Sequence, residues 1–222
     1  MTEMSQIGGE PRARAYWFFA IVRSMEAESN SAASYTSLTK EKNPNQIVAR
    51  AIEISGRHGN ALDLGAGALR ETQLLLEAGF CVDAVDRDPT TAEIGLTLAN
   101  PNLNVVDSDI ADFPISQGRY SLIAAINSLP FLSESKARST IEHIKNGLAP
   151  GAVACFSLFG PRDEWASRVD MCFFSLSEVS ELFSDLECIE CTEIERDRTT
   201  ARGKMKHWHI ITGIFKKAQI KK

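Results

Sequence analysis

The chain has 222 residues, of which 44% are hydrophobic and 24% are charged, and its formal net charge is −5. This length and balance are typical of one globular domain with a short extension, since such a chain can bury one sizeable core. The acidic charge argues against general nucleic-acid binding, and no early apolar run reaches the roughly 20 residues that span a bilayer. Five cysteines without a regular framework are typical of a reducing compartment. We therefore expect a cytoplasmic protein that binds neither nucleic acid nor a membrane.

The first 43 residues differ in pattern from the rest of the chain. Pro11 can begin a helix, and an apolar stripe follows at helical spacing. The stripe consists of Trp17, Phe18, Ile21, Val22 and Met25. A polar stretch typical of a linker then leads to a main domain over residues 44–217, which a basic tail over 218–222 follows. The stripe either packs permanently on the main core or closes over a bound ligand, and in the second case Trp17 is a candidate contact on the substrate side.

From residue 43 onward, helical and extended patterns alternate. Asn43 and Pro44 are predicted to cap and begin a helix that Gly56 ends. Further helices are predicted over Glu71–Ala78 and after Asp88, Ser133 and Ser175. Strands are predicted over Ala61–Leu64, Cys81–Val85, Leu103–Val106, Tyr120–Ile126, Ala152–Leu158, Glu187–Ile194 and His207–Phe215. This alternation predicts an α/β fold whose mostly parallel, Rossmann-like sheet has helices on both faces, with an antiparallel final strand after a polar turn.

A turn of glycines and alanines joins the first predicted strand to the next helix. Asp63 lies near the end of the strand, and Gly65, Ala66 and Gly67 form the turn. Small residues let a ligand approach the main chain, and the free N–H groups at a helix start favour a negative group. Taken alone, a Gly-X-Gly turn is a weak signal, because tight turns also use glycine for steric reasons.

Acids after the second and third strands strengthen that signal. Asp86 ends the second strand about 20 residues beyond the glycines, where a carboxylate can accept both hydroxyls of an adenosine ribose. Asp109 follows the third strand, where it can accept from an adenine amino group while Ile110 covers a ring face. Each acid taken singly is more often a helix cap or a surface charge. Because ligands bind at the carboxyl ends of strands in open α/β sheets, the three positions together predict a nucleoside site, and we include Arg87 among its candidates.

A dinucleotide fits this pattern less well than a cationic amino-acid ligand. The NAD fingerprint has a third glycine where this chain has Arg70. Asp63 instead suits a cationic head. A sulfonium that carries an amino acid has an ammonium group for Asp63 and a carboxylate for the helix N-terminus and Arg70.

Several segments resemble known methyltransferases. The run Leu62–Gly67, with Ala84–Asp86, resembles motif I and its partner acid in class I methyltransferases. Asn127–Phe131, Leu158–Trp165 and Lys206–Ile210 are similar to segments of the bacterial methyltransferases related to the tellurite-resistance methyltransferase. The resemblance covers roughly residues 44–217 and leaves the N-terminal extension outside it.

That resemblance implies a seven-stranded sheet in the order 3-2-1-4-5-7-6 with the seventh strand antiparallel. It also implies S-adenosylmethionine as cofactor and S-adenosylhomocysteine as product. Two positions depart from the family pattern: Leu69 stands where the wider class has a third glycine, and Ser121 stands where the family often has an acid.

Candidates for the acceptor side are Asn127, which we also include in the cofactor-binding set, together with Arg162, His207 and His209. The histidines are two apart and so face the same side of a strand. They have a structural role, contact the acceptor, or bind a metal, but the ligand set for a metal is incomplete and we expect none. No catalytic residue is predicted, because methyl transfer needs a general base only when the acceptor must lose a proton.

The sequence therefore predicts an S-adenosylmethionine-dependent methyltransferase acting on a small molecule with a thiol, chalcogen or amine nucleophile. A non-catalytic sensor that binds this cofactor or a nucleotide is the main alternative. Asp86-Arg87-Asp88 also permits a metal-dependent glycosyltransferase, but that interpretation leaves the glycine turn unexplained. The sequence leaves open whether the protein is a monomer or a homodimer.

Overall fold

A computed structural model describes residues 36, 38–56 and 58–219. The strands are β1 (Asn60–Leu64), β2 (Cys81–Asp86), β3 (Leu103–Asp107), β4 (Tyr120–Ala125), β5 (Leu148–Phe159), β6 (Glu187–Thr199) and β7 (Met205–Lys216). The helices are α1 (Gln46–Ser55), α2 (Arg70–Glu77), α3 (Pro89–Leu98), α4 (Glu134–Gly147) and α5 (Leu176–Leu182), and a short 3-10 turn spans Leu129–Phe131.

The strands form one sheet in the order β3-β2-β1-β4-β5-β7-β6. β1 pairs in parallel with β2 and with β4, whereas β7 is antiparallel to both β5 and β6. The predicted Rossmann-like class and strand order are therefore confirmed. The chain reverses its direction of travel across the sheet between β1 and β4, and ligands bind at such a switch point in open α/β sheets.

Helices cover both faces of the sheet through apolar stripes. On one face, Val48 and Ala51 of α1 pack with Leu75 of α2 in one buried cluster. On the other, Ile141 of α4 and Val179 of α5 belong to a larger cluster. Burying each aliphatic side chain of this size stabilises the fold by about 1.5–3 kcal/mol. With both faces covered, the ends of the strands are left for ligands.

Several predicted boundaries were wrong. The cap of α1 is Asn45 rather than Asn43, because the Asn45 side chain accepts from the N–H of Ile47 at 3.1 Å. β5 begins at Leu148 rather than Ala152, and its pairing with β4 shifts register across the proline and glycine, from Tyr120 opposite Leu148 to Leu122 opposite Val153. The final hairpin is also longer than predicted at its turn. Pairing with a neighbouring strand decides where each strand ends, and local sequence carries little of that information.

The N-terminal extension is described only at its end. The apolar stripe with Trp17 lies outside the described residues, as does part of the basic tail. The hydroxyl of Thr36 donates to Oδ2 of Asp88 at 2.5 Å, and both side chains are buried. The end of the extension therefore lies beside the loop after β2. No helix within 36, 38–56 and 58–219 is long and apolar enough to cross a membrane.

Candidate functional site

The turn after β1 has a backbone shape that glycine favours. Gly65 and Gly67 have φ values of +79° and +47°, in the left-handed region that side chains rarely adopt. A Cβ on Gly65 would lie 2.3 Å from Cβ of Ser128, so glycine is required there by close contact. A Cβ on Gly67 would meet nothing within 4 Å, so open space faces the main chain at that point. A ligand can therefore approach Gly67 directly.

Asp86, at the end of β2, is bonded to this turn. Its Oδ2 accepts the backbone N–H of Gly67 at 2.7 Å, and its Oδ1 accepts that of Asp88 at 2.8 Å. Burial raises the pKa of the Asp86 carboxyl, while the two N–H groups act against that rise. The carboxylate has further lone pairs that can accept hydroxyl groups from a ligand.

Asp63 is buried at the end of β1 beside a second acid. Its Oδ2 accepts the hydroxyl of Thr72 at 2.6 Å, and only 2% of the residue is exposed. Burial, and then the negative charge of Glu71, raise the pKa of Asp63 to about 7. Glu71 is itself buried and accepts the backbone N–H of Asn45 at 3.0 Å. Asp63, near the end of β1, and Glu71, in the first turn of α2 and 3.7 Å from Nη2 of Arg70, are two buried acids that a further cation would stabilise.

Arg70 and the residues after β3 lie around this centre. Arg70 donates to the main-chain oxygen of Asn43 at 3.2 Å, so its guanidinium is held by the end of the extension. Oδ1 of Asp109 accepts the N–H of Ala111 at 2.9 Å, and Arg87 lies 3.5 Å from Oδ2. Ile110 is half-buried next to Asp109. The structure thus brings the predicted nucleoside residues to one edge of the sheet, and their contacts with a ligand remain predictions.

The turn after β4 has a left-handed residue and contains an unpaired hydroxyl. Asn127 is exposed and has a φ of +53°, a conformation that asparagine adopts more readily than other non-glycine residues. The buried hydroxyl of Ser157 accepts the backbone N–H of Asn127 at 2.7 Å and lies 3.2 Å from its side-chain oxygen. The next residue, Ser128, is only 8% exposed, and its Oγ has no hydrogen-bond partner among the described residues. Because Ser128 touches Gly65, this hydroxyl lies at the switch point between β1 and β4.

Three of the predicted acceptor-side residues, Arg162, His207 and His209, lie in one network of hydrogen bonds and ion pairs. The backbone N–H of Arg162 donates to Nδ1 of His209 at 3.0 Å, which places the ring proton on Nε2, 2.7 Å from Glu193. Nη2 of Arg162 pairs with Glu193 and Glu195 at 3.2 and 2.6 Å. His207 lies 2.7 Å from Asp197, whose hydrogen bond raises the pKa of this histidine. His209 is fully buried.

This arrangement favours the structural interpretation of His209, since both of its ring nitrogens already have partners. Gly160 makes room for the ring, because a Cβ there would lie 2.2 Å from it. No group of three metal-ligating side chains occurs within the part of the chain that the structure describes. A role for Arg162 or His207 in acceptor binding remains a prediction.

One feature was missed by the sequence analysis. Lys206 is 1% exposed, and its ammonium lies 2.5 Å from Oδ1 of the buried Asp163. The same ammonium lies 3.6, 4.2 and 5.0 Å from the ring centroids of Trp208, Trp165 and Phe159. We call these three rings, with Lys206 and Asp163, the aromatic box. A desolvated cation–π contact stabilises by about 2 kcal/mol. The sequence contained a signal for this contact: Lys206 precedes Trp208 by two residues on a strand, and side chains two residues apart lie on the same face of a strand.

The comparisons agree with this geometry. Residues 61–151 match the family model described as a methyltransferase domain. No curated protein matches the chain significantly. TehB from Haemophilus influenzae is similar in structure, with a TM-score of 0.69 and 21% identity over 83% of this chain and 67% of that one. The family match supports the predicted methyltransferase domain over residues 61–151, and the structural similarity shows that the fold is shared.

Two further solved structures share the fold at low identity. The 1,6-didemethyltoxoflavin-N1-methyltransferase of Burkholderia thailandensis, with bound 1,6-didemethyltoxoflavin and S-adenosylhomocysteine, has a TM-score of 0.66 and 18% identity, over 97% of this chain and 94% of that one. The N-methyltransferase NodS of Bradyrhizobium japonicum WM9, in complex with S-adenosylhomocysteine, has a TM-score of 0.61 and 18% identity, over 83% of this chain and 98% of that one.

Proposed function

We propose that this chain, a class I methyltransferase that uses S-adenosylmethionine, transfers the methyl group to a small-molecule acceptor bound beside the turn after β4. The observation that carries the proposal is the unit formed by Gly67 and Asp86, in which a glycine that a ligand can approach shares a hydrogen bond with the acid that we propose binds the ribose. It lies at the carboxyl ends of two paired parallel strands.

The residues present fit this cofactor. Asp63 and Glu71 form a buried negative site that suits an ammonium and a sulfonium group. Asp86 can accept the ribose hydroxyls, and the open space at Gly67 admits the ligand to the main chain. The unpaired Oγ of Ser128 supplies a polar group at the same crevice, and a buried polar group without a partner is costly unless a ligand satisfies it.

Bound S-adenosylmethionine supplies a methyl group on a positively charged sulfur, which departs as a neutral thioether. The chain therefore has to orient the acceptor in line with that bond and exclude water. The turn at Asn127, whose backbone N–H is held by the buried Ser157, is proposed to bound the acceptor side. We assign no general base, since a thiolate or another deprotonated acceptor needs none.

The acceptor is proposed to be a small molecule with a thiol, chalcogen or amine nucleophile. The Burkholderia thailandensis neighbour binds 1,6-didemethyltoxoflavin, which supports a small-molecule acceptor in this fold. A sensor that binds the cofactor without turnover is the competing function.

Transfer of labelled methyl from S-adenosylmethionine to a panel of thiol, selenium, tellurium and amine acceptors tests the proposal. We expect turnover with at least one acceptor class in the presence of a metal chelator, and loss of turnover in Asp86→Asn. Tight cofactor binding without transfer to any member would favour the sensor.

We also propose that residues 1–43 cover the bound ligands during the reaction. The contact of Thr36 with Asp88 supports this, since it holds the end of the extension beside the cofactor residues. A closing segment would exclude water from the sulfonium. Deleting residues 1–35 keeps this contact, and we expect it to reduce methyl transfer strongly while cofactor affinity falls little. Unchanged turnover would contradict the proposal, and aggregation would favour permanent packing on the core.

A further inference from the structure

We propose that the aromatic box, together with Phe131, forms the inner wall of the acceptor pocket and selects planar acceptors that carry no positive charge. This inference rests on the proposed function, because it assigns the substrate class of the same site. It draws on residues that the sequence analysis did not treat as functional.

The box adjoins the turn on which the acceptor is expected. Phe131 ends that turn, and its ring centroid lies 6.0 Å from that of Phe159 and 6.4 Å from that of Trp165. Phe131 is 43% exposed and Trp165 is half-buried, so both present ring surface at the carboxyl edge of the sheet. Flat apolar side chains of this kind line pockets for planar ligands.

The box is already filled by a cation. Aromatic rings grouped around a space commonly bind methylated ammonium groups, and in a methyltransferase such a group would suggest a cationic acceptor. Here the ammonium of Lys206 occupies the centre, within 5.0 Å of each of the three ring centroids. The negative faces of the three rings therefore already contact the ammonium of Lys206 and are not free to bind a cationic ligand.

The counter-ion of Lys206 is Asp163, whose Oδ1 lies 2.5 Å from the ammonium, so the buried pair carries no net charge. Oδ1 and Oδ2 of Asp163 also accept the backbone N–H groups of Trp165 and His209, at 3.0 and 3.2 Å. Asp163 is thus directed towards the main chain, while the ammonium is directed towards the rings. Arg168 lies 5.9 Å from the Trp165 ring and is itself paired with Asp170 at 2.6 Å. A cationic acceptor at Phe131 would therefore find the faces of these rings already occupied by cations of the protein, whereas a neutral planar acceptor does not depend on such a contact.

Two isosteric probes separate charge from shape: 3-tert-butylphenol and 3-hydroxyphenyltrimethylammonium. Their dissociation constants are measured on the complex with S-adenosylhomocysteine by ligand-observed NMR. The two probes also differ in hydrophobicity, so their affinities for the wild-type complex alone do not isolate the effect of charge. The decisive quantity is the affinity of the neutral probe divided by that of the cationic probe, compared between the wild type and the double variant Lys206→Met, Asp163→Asn. This pair of changes leaves no unpaired buried charge. We expect the neutral probe to bind the wild-type complex more tightly. In the double variant the ring faces are no longer occupied by the ammonium, so the affinity of the neutral probe relative to the cationic probe should fall about tenfold.

Phe131→Ala provides a test that does not disturb the buried pair. We expect it to weaken 3-tert-butylphenol binding about tenfold while the affinity for S-adenosylhomocysteine stays unchanged. An unchanged ratio in the double variant, unchanged binding in Phe131→Ala, or no binding of the neutral probe to the wild-type complex would each overturn the inference. Loss of S-adenosylhomocysteine binding by the wild-type protein would instead overturn the proposed function itself.

Discussion

The backbone N–H of Gly67 donates to Oδ2 of Asp86 at 2.7 Å, so the turn after β1 and the acid that ends β2 form one unit. The second oxygen of the same carboxylate holds the N–H of Asp88, the cap of α3. Asp86 therefore organises the turn as well as presenting a carboxylate. A substitution there should affect both ligand binding and the stability of the ligand-free protein.

Asp86→Asn is expected to lower the affinity for S-adenosylhomocysteine by about 1–3 kcal/mol and to lower the melting temperature slightly. The amide offers a single acceptor oxygen and sets N–H donors against the N–H groups that Asp86 now accepts. Calorimetry and thermal denaturation measure the two effects. Asp107→Asn is the matched control, since Asp107 is exposed and pairs with Asp86 in register on β3. If Asp86→Asn bound S-adenosylhomocysteine with wild-type affinity, Asp86 would have only a structural role.

Ser128→Ala is expected to act in opposite directions on stability and binding. Removing a buried hydroxyl without a partner should raise the melting temperature of the ligand-free protein, because such a group costs about 1–3 kcal/mol. The same change should weaken S-adenosylhomocysteine binding if Oγ contacts the ligand.

Ser55→Ala is the control for Ser128→Ala, because Ser55 also has a buried, unpartnered hydroxyl but ends α1. It should raise stability and leave ligand affinity unchanged. Equal ligand affinity in Ser128→Ala and the wild type would show that the hydroxyl of Ser128 does not contact the ligand.

At Leu69, the glycine variant should be at least as stable as the alanine variant, which reverses the usual order of their stabilities. Leu69 is fully buried, yet its φ is +58°, where a side chain costs about 1–2 kcal/mol. Both substitutions lose the buried leucine, but only Leu69→Gly relieves the backbone strain. We expect Leu69→Gly to be at least as stable as Leu69→Ala. At Leu75, buried within helix α2, glycine should instead be less stable than alanine by about 1 kcal/mol. A lower melting temperature for Leu69→Gly than for Leu69→Ala would contradict the strain argument.

The local sequence predicted the motif elements but not the contacts that depend on distant strands. Asp63, Gly67 and Asp86 could be placed because each lies where a strand pattern ends and parallel strands end together. The box around Lys206 could not, since it joins side chains from β5, the loop after it and β7. Their proximity depends on the antiparallel return of β7 beside β5.

Binding of S-adenosylmethionine should depend on pH through Asp63, whose pKa is about 7. In the ligand-free protein, the pKa of Asp63 in the folded state is above its ordinary value of about 4, so the folded state binds this proton more tightly than the unfolded state. The free energy of unfolding should therefore fall as pH rises from about 4 to about 7. A cationic ligand favours the ionised form, so binding below pH 7 should release a proton.

Calorimetry at pH 6.5 in buffers of different ionisation enthalpy measures that release. We expect proton release in the wild type and little in Asp63→Asn. An affinity for S-adenosylmethionine that does not change between pH 6 and 8 would contradict the role of Asp63 as the partner of a cation.

We propose that the acid and glycine unit at β1 and β2 binds S-adenosylmethionine and its product rather than a dinucleotide. The most direct measurement is calorimetric titration of the purified protein with S-adenosylhomocysteine and, separately, with NAD, in the presence of a metal chelator. We expect saturable binding of S-adenosylhomocysteine without metal and no binding of NAD. Tight NAD binding with no binding of S-adenosylhomocysteine would contradict it.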